Sequence, residues 1–197
     1  MFSKSFSILA LSFLLIFILA SCSKKETAAP TGGDAGLSNF SQQAQMMESA
    51  LKKDPNNVNI MVQLGNLYYD WGQDELNKKG DAAPPVDKWD RAVGYYEQAL
   101  ALDPSNVNVR VDMANLMRYT GRTDEAIAEY HKAIKQNPQH PQARINLILA
   151  LGQTKRDYKG AIAEYDDLLK NIPSQKDNTG LKQEVEAFKE SMKEARK

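Results

Sequence analysis

The sequence predicts an all-α chain built from stacked helix–turn–helix repeats. Three observations predict it. Three stretches of the chain align with one another at a spacing near 34 residues. Each copy carries an alanine followed four residues later by a tyrosine, which places the pair on one helical face. Each copy ends at a proline, which cannot continue a helix interior.

The first copy begins NVNIMVQLGNLYYDWG at residues 57–72 and resumes as KWDRAVGYYEQALALDPSN at residues 88–106. The second, residues 107–140, has 34 residues, and the third, residues 141–175, has one more. In the first half of the first two copies, Leu64-Gly65 with Tyr68 and Met113-Ala114 with Met117 put small residues where two helices must approach closely. In the second half the pairs are Ala92 with Tyr96, Ala126 with Tyr130 and Ala161 with Tyr165. Ala99 and Ala133 follow the first two tyrosines, and Pro104, Pro138 and Pro173 close the copies.

These elements resemble the L-G-x-x-Y and A-x-x-x-F signature of the tetratricopeptide repeat (TPR) family, with Tyr in place of Phe. The resemblance implies a TPR superhelix of about three full repeats, residues 57–106, 107–140 and 141–175. An N-terminal half-repeat helix over residues 39–56 and a C-terminal capping helix over residues 176–197 complete the stack. Leu181, Val185, Phe188 and Met192 form that cap's apolar stripe, which can cover the last repeat or meet a partner. The chain departs from the family pattern at Arg110 and Arg144, where a large apolar residue is usual. Ile148 and Leu168 replace small residues in the third repeat, so looser or altered packing is expected there.

Residues 73–87 (QDELNKKGDAAPPVD) interrupt the first repeat. Their front half can extend the first helix until Gly80 and Pro84-Pro85 break it. The remainder reads as a surface loop or a partner contact. The spacing of Asp74, Asp81 and Asp87 is not that of a calcium loop.

The first 21 residues read as a signal peptide: Lys4, then a 13-residue run from Ile8 to Ala20 broken by Ser12 alone. That run is shorter than the roughly 20 residues a membrane-spanning helix needs. Leu19-Ala20-Ser21-Cys22 resembles the lipobox of bacterial lipoproteins, which implies cleavage before Cys22 and acylation of its thiol. Two or more acyl chains give a stable anchor. Ser23, by the same resemblance, points to an outer-membrane protein facing the periplasm. Residues 22–38 then form the lipidated cysteine and a flexible tether, Gly- and Ala-rich with little to bury.

Composition narrows function. The 25 basic residues balance 25 acidic ones, which gives no reason to expect a nucleic-acid partner. Cys22 is the single cysteine, so a disulfide within the chain is impossible. His131 and His140 lack partners at metal-ligand or catalytic spacing, and no phosphate loop or nucleophile elbow occurs. The expectation is a protein without enzyme activity, metal or cofactor.

By the resemblance, the concave face is lined by the first helix of each repeat. Asn66, Tyr69, Asn115, Arg118 and Tyr119 are the candidate peptide-binding residues. An asparagine amide pairs with peptide backbone in both directions, and aromatic and arginine side chains dominate binding hot spots. Val62 and Val111 stand on the same face, where a lysine would be needed to clamp a C-terminal carboxylate. The reading is a membrane-anchored adaptor that binds an unidentified protein segment in cell-envelope assembly. The alternative is a structural envelope protein that self-associates.

Overall fold

A computed structural model describes residues 34–79 and 84–194. The signal peptide, Cys22 and most of the tether lie outside them. The described residues form eight α-helices in order: α1 (Asp34–Lys53), α2 (Val58–Lys79), α3 (Val86–Leu102), α4 (Val107–Tyr119), α5 (Thr123–Gln136), α6 (Pro141–Leu149), α7 (Tyr158–Asn171) and α8 (Thr179–Glu194). A π-helical turn at Ala150–Thr154 follows α6, and a 3-10 turn at Pro173–Asp177 precedes α8. Helix α1 takes in the last five residues of the stretch read as tether.

Helices pair as α2 with α3, α4 with α5 and α6 with α7, with α3 on α4 and α5 on α6 joining neighbouring pairs. This is a TPR superhelix of three pairs, flanked by α1 on α2 and α8 on α7. The small residues do what their size allows. Ala92, Ala114, Ala126, Ala133 and Ala161 are fully buried where helices touch. A Cβ on Gly65 would fall 2.3 Å from the ring of Tyr96, so α2 and α3 can sit this close only with glycine there.

Each first helix starts on a side-chain cap. Asn57 Oδ1 accepts from the amide of Ile60 at 3.1 Å, and Asn106 Oδ1 from that of Val109 at 3.2 Å. His140 takes the equivalent place in the third repeat. Its Nδ1 accepts from the Ala143 amide at 3.2 Å, which leaves Nε2–H to donate to Asn108 Oδ1 at 3.0 Å. The histidine that the sequence left without a role is a helix cap.

Arg110 and Arg144 do not loosen the stack. Both are buried, at 8% and 4% exposure. Arg110 donates to the carbonyl of Pro104 at 2.8 Å and to Glu129 at 2.6 Å. Arg144 donates to the carbonyl of Pro138 at 3.0 Å and to Asp167. Each arginine stakes the turn that opens its own repeat, six residues upstream, to the repeat's second helix. Met61 fills the matching place in the first repeat.

The extra residue of the third repeat is absorbed in the π turn. In the second repeat the chain leaves α4 through Gly121 at φ 87°; in the third the same left-handed turn falls on Arg156 at φ 57°. A side chain there is strained, typically by 1–2 kcal/mol. Arg156→Gly is therefore expected to stabilise the chain by about 1 kcal/mol, seen as a higher denaturation midpoint at unchanged slope.

The last repeat is repacked rather than loose. Ile148 and Leu168 are fully buried and form a second core with Ala161, Tyr165, Leu181, Val185 and Phe188. The large side chains are what α8 covers. The insertion, too, is largely structure. Helix α2 runs on to Lys79, with Trp71 and Leu76 packed on the main core. Lys88 lies 4.7 Å over the Trp71 ring and 3.7 Å from Glu75. Only residues 80–83 of the insertion lie outside the description.

Candidate binding cleft

Asn66, Tyr69 and Asp70 are successive groove-facing positions of α2; Asp112, Asn115 and Tyr119 hold the matching face of α4. With Tyr96 of α3 as its floor, these six residues line a cleft of about 340 Å³. Four of the five residues expected to bind a peptide meet here: Asn66, Tyr69, Asn115 and Tyr119. Arg118 does not line the cleft. Its guanidinium stacks 4.6 Å from the Tyr119 ring and lies beside the Tyr130 hydroxyl. Val111 also departs from expectation, being buried at 2% exposure rather than facing the groove.

The asparagines are held in place from behind. Tyr96 donates its hydroxyl proton to Asn66 Oδ1 at 2.7 Å, and Tyr130 donates to Asn115 Oδ1 at 2.6 Å. Asn115 Oδ1 also accepts from Asn146 Nδ2 at 2.6 Å, and Asn146 in turn accepts from Gln142 Nε2 at 2.6 Å. Here the tyrosine that replaces the family's phenylalanine has a purpose: its hydroxyl fixes the amide carbonyl, and Nδ2 of Asn66 and Asn115 remains to donate outward. Leu149 stands at the third repeat's equivalent position, so Tyr165 has no asparagine opposite it.

Burial sets the ionisation of this region. It raises Tyr96 well above the ordinary phenol value, with Asp112, Asp70 and Tyr69 adding to the shift. It raises Tyr130 to about 12, although Arg118 pulls the other way. Asp112 is exposed as a residue, yet its carboxyl is raised by desolvation against the cleft walls, with His140 drawing it partly back. The tyrosines are neutral donors at physiological pH.

A larger cleft of about 780 Å³ lies between α1 and α3, lined by Glu48, Leu51, Arg91 and Tyr95 among others. Its polar groups satisfy one another. Glu48 accepts from Tyr68 at 2.8 Å and from Tyr95 at 2.9 Å, and Arg91 donates to the Tyr68 hydroxyl at 2.7 Å. A run of stacked rings, Phe40, Trp71, Tyr68 and Tyr95, ends at Tyr95 on the cleft wall. That cluster fastens the half-repeat helix to the stack. The smaller cleft is the better candidate site because its amide protons and carboxylates are unspent.

The TPR family model matches residues 87–144, from the start of α3 into α6. The stretch from α3 into α6 carries tetratricopeptide repeats. Solved structures agree on the fold. A crystal structure of MamA superposes with a TM-score of 0.57 at 18% identity, over 83% of this chain and 95% of that one. MamA AMB-1 gives 0.57 at 23% identity, over 80% and 82%. The TPR domain of Arabidopsis OM64 gives 0.53 at 20% identity, over 68% and 95%. No curated protein matches the chain.

Asp70, Asp112 and Tyr96 are the cleft residues absent from the five candidates, and of these Asp112 and Tyr96 were not read as groove positions at all. A signal existed for each: Asp112 precedes Asn115 by one turn on the same face, and Tyr96 is the aromatic position of the repeat. Among the described residues no group of three or more His, Cys, Asp or Glu side chains is placed to hold a metal, and no helix is long and apolar enough to cross a membrane.

Proposed function

We propose that the protein is a lipid-anchored adaptor of the cell envelope, which holds an extended segment of another protein in the cleft between α2 and α4. The fold is that of a protein-interaction scaffold. One observation carries the reading beyond the fold: two equivalent asparagines, one per repeat, each fixed through its carbonyl by a buried tyrosine and each with Nδ2 free for a backbone carbonyl. Preorganised donors bind without an ordering cost. Tyr69 and Tyr119 flank them as aromatic anchors. The arrangement offers no activated nucleophile, and the role is binding rather than catalysis.

Acylated Cys22 at the end of the tether would keep the groove within reach of the membrane surface. Its placement at the outer membrane, facing the periplasm, rests on Ser23 and on the lipobox resemblance.

Two substitutions test the two halves. Cys22→Ser should move the protein from the membrane to the soluble fraction, while a membrane-retained variant would remove the lipid anchor from the account. Asn66→Ala with Tyr119→Ala should abolish co-purification of the partner from envelope extract at unchanged helicity. Retention of the partner by that variant would reject the cleft. Self-association with no partner retained would favour the structural alternative.

A further inference from the structure

The cleft holds more negative charge than a groove made only for peptide backbone requires. Asp70 reaches it from α2 and Asp112 from α4. Neither forms an ion pair with any described residue. Between them lie the rings of Tyr69, Tyr96 and Tyr119. The carboxylates and phenols act on one another: desolvation raises Tyr69, and Tyr119, Asp70 and Asp112 raise it further. The nearest basic side chains are already engaged. Arg118 is stacked on Tyr119 and beside Tyr130, and His140 uses both ring nitrogens, one on the α6 amide and one on Asn108.

We propose that this cleft selects a protein segment bearing a lysine or arginine side chain, with the cation seated between Asp70 and Asp112 and among the three tyrosines. This rests on the groove reading above and names its specificity. Three properties of the cleft favour such an occupant. A cation neutralises two carboxylates that form no ion pair among the described residues. Aromatic rings attract a cation through their quadrupole. The asparagine Nδ2 groups lie alongside, so the segment's backbone carbonyls can be held while its side chain enters the cleft. An acidic segment would meet like charge and be rejected.

The test uses the full chain in detergent micelles and four peptides of the form acetyl-Gly-Ser-X-Ser-Gly-amide, with X as Arg, Lys, Gln or Glu. Binding is followed by NMR at the side-chain amides of Asn66 and Asn115. The Arg and Lys peptides should bind about tenfold tighter than the Gln peptide at low salt, with the advantage shrinking as salt rises. The Glu peptide should bind weakest. Asp70→Asn with Asp112→Asn, both at exposed positions, should remove the preference, so that the Arg and Gln peptides bind the variant equally. Equal affinity for Arg and Gln, or preference for Glu, would overturn the cation selectivity while leaving the groove intact. No response at either asparagine to any peptide would overturn both readings.

Discussion

Arg110→Ala is expected to cost the fold about 3 kcal/mol, which in a chain of this size lowers the melting temperature by roughly 6–12 °C. The reason is that Arg110 and Glu129 are both shielded, with side-chain exposures of 10% and 13%. Removing the cation leaves Glu129 to Lys132 alone, at 2.6 Å. It also takes one of two donors from the Pro104 carbonyl, leaving Gln136 Nε2 at 2.8 Å. Arg110→Met should cost less, since Met61 packs well at the matching site of the first repeat. Arg144→Ala should cost less than Arg110→Ala, because Asp167 is 48% exposed and water can take over its solvation. Thermal melts of the three variants rank these outcomes; equal costs would refute the assignment of Arg110 as the buried stake.

The same pair sets an acid limit. Burial pushes the Glu129 carboxyl up, but hydrogen bonds from Lys132 and Arg110 outweigh it and hold the carboxyl below its ordinary value of 4.5. A depressed folded value contributes stability that is present above the unfolded value and is lost as pH falls through the folded one. Stability should therefore decline below about pH 4.5, and Glu129→Gln should flatten that decline. An unchanged acid limb in Glu129→Gln would assign it to other carboxylates.

Phe188→Ala is the second large effect, about 3–4 kcal/mol. The Phe188 ring is 5% exposed, stacks 5.6 Å from Tyr158 and fills the space that a Cβ on Gly152 would need. Helix α8 packs on α7, and a 16-residue helix is marginal on its own. The loss should be local. Amide exchange across Thr179–Glu194 should quicken about a hundredfold or more, while α2 to α5 keep their protection. Ile148 and Leu168 would then face water, so the variant should also aggregate at high concentration. Uniform loss of protection along the stack would mean that the cap is not a separable unit.

How far the sequence disclosed this structure depends on the residue. The repeat and its helix pairs were legible because alanine, glycine and tyrosine recur at fixed spacing, and spacing is what sequence preserves. Asn66 and Asn115 were legible as groove residues because they repeat. Arg110 and Arg144 were not, since a charged residue at an apolar position reads as a defect until the Pro104 and Pro138 carbonyls are seen beside it. Val111 was misplaced by about one position around the helix, enough to move it from groove to core. The π turn after α6 was visible only as one surplus residue; where a surplus is absorbed depends on packing, here the close seat of Phe188 on Gly152. Asp112 went unnoticed because a lone carboxylate on a helix face is ordinarily just solvated.

The central claim is that a protein segment occupies the cleft between α2 and α4. A photoreactive phenylalanine analogue placed at Tyr69 or Tyr119, and as a control at Gln98 on the α1–α3 side, tests it in intact cells. Crosslinks to one partner from Tyr69 and Tyr119 but not from Gln98 are the predicted result. Crosslinks from Gln98 alone, or only to a second copy of the same chain, would contradict it.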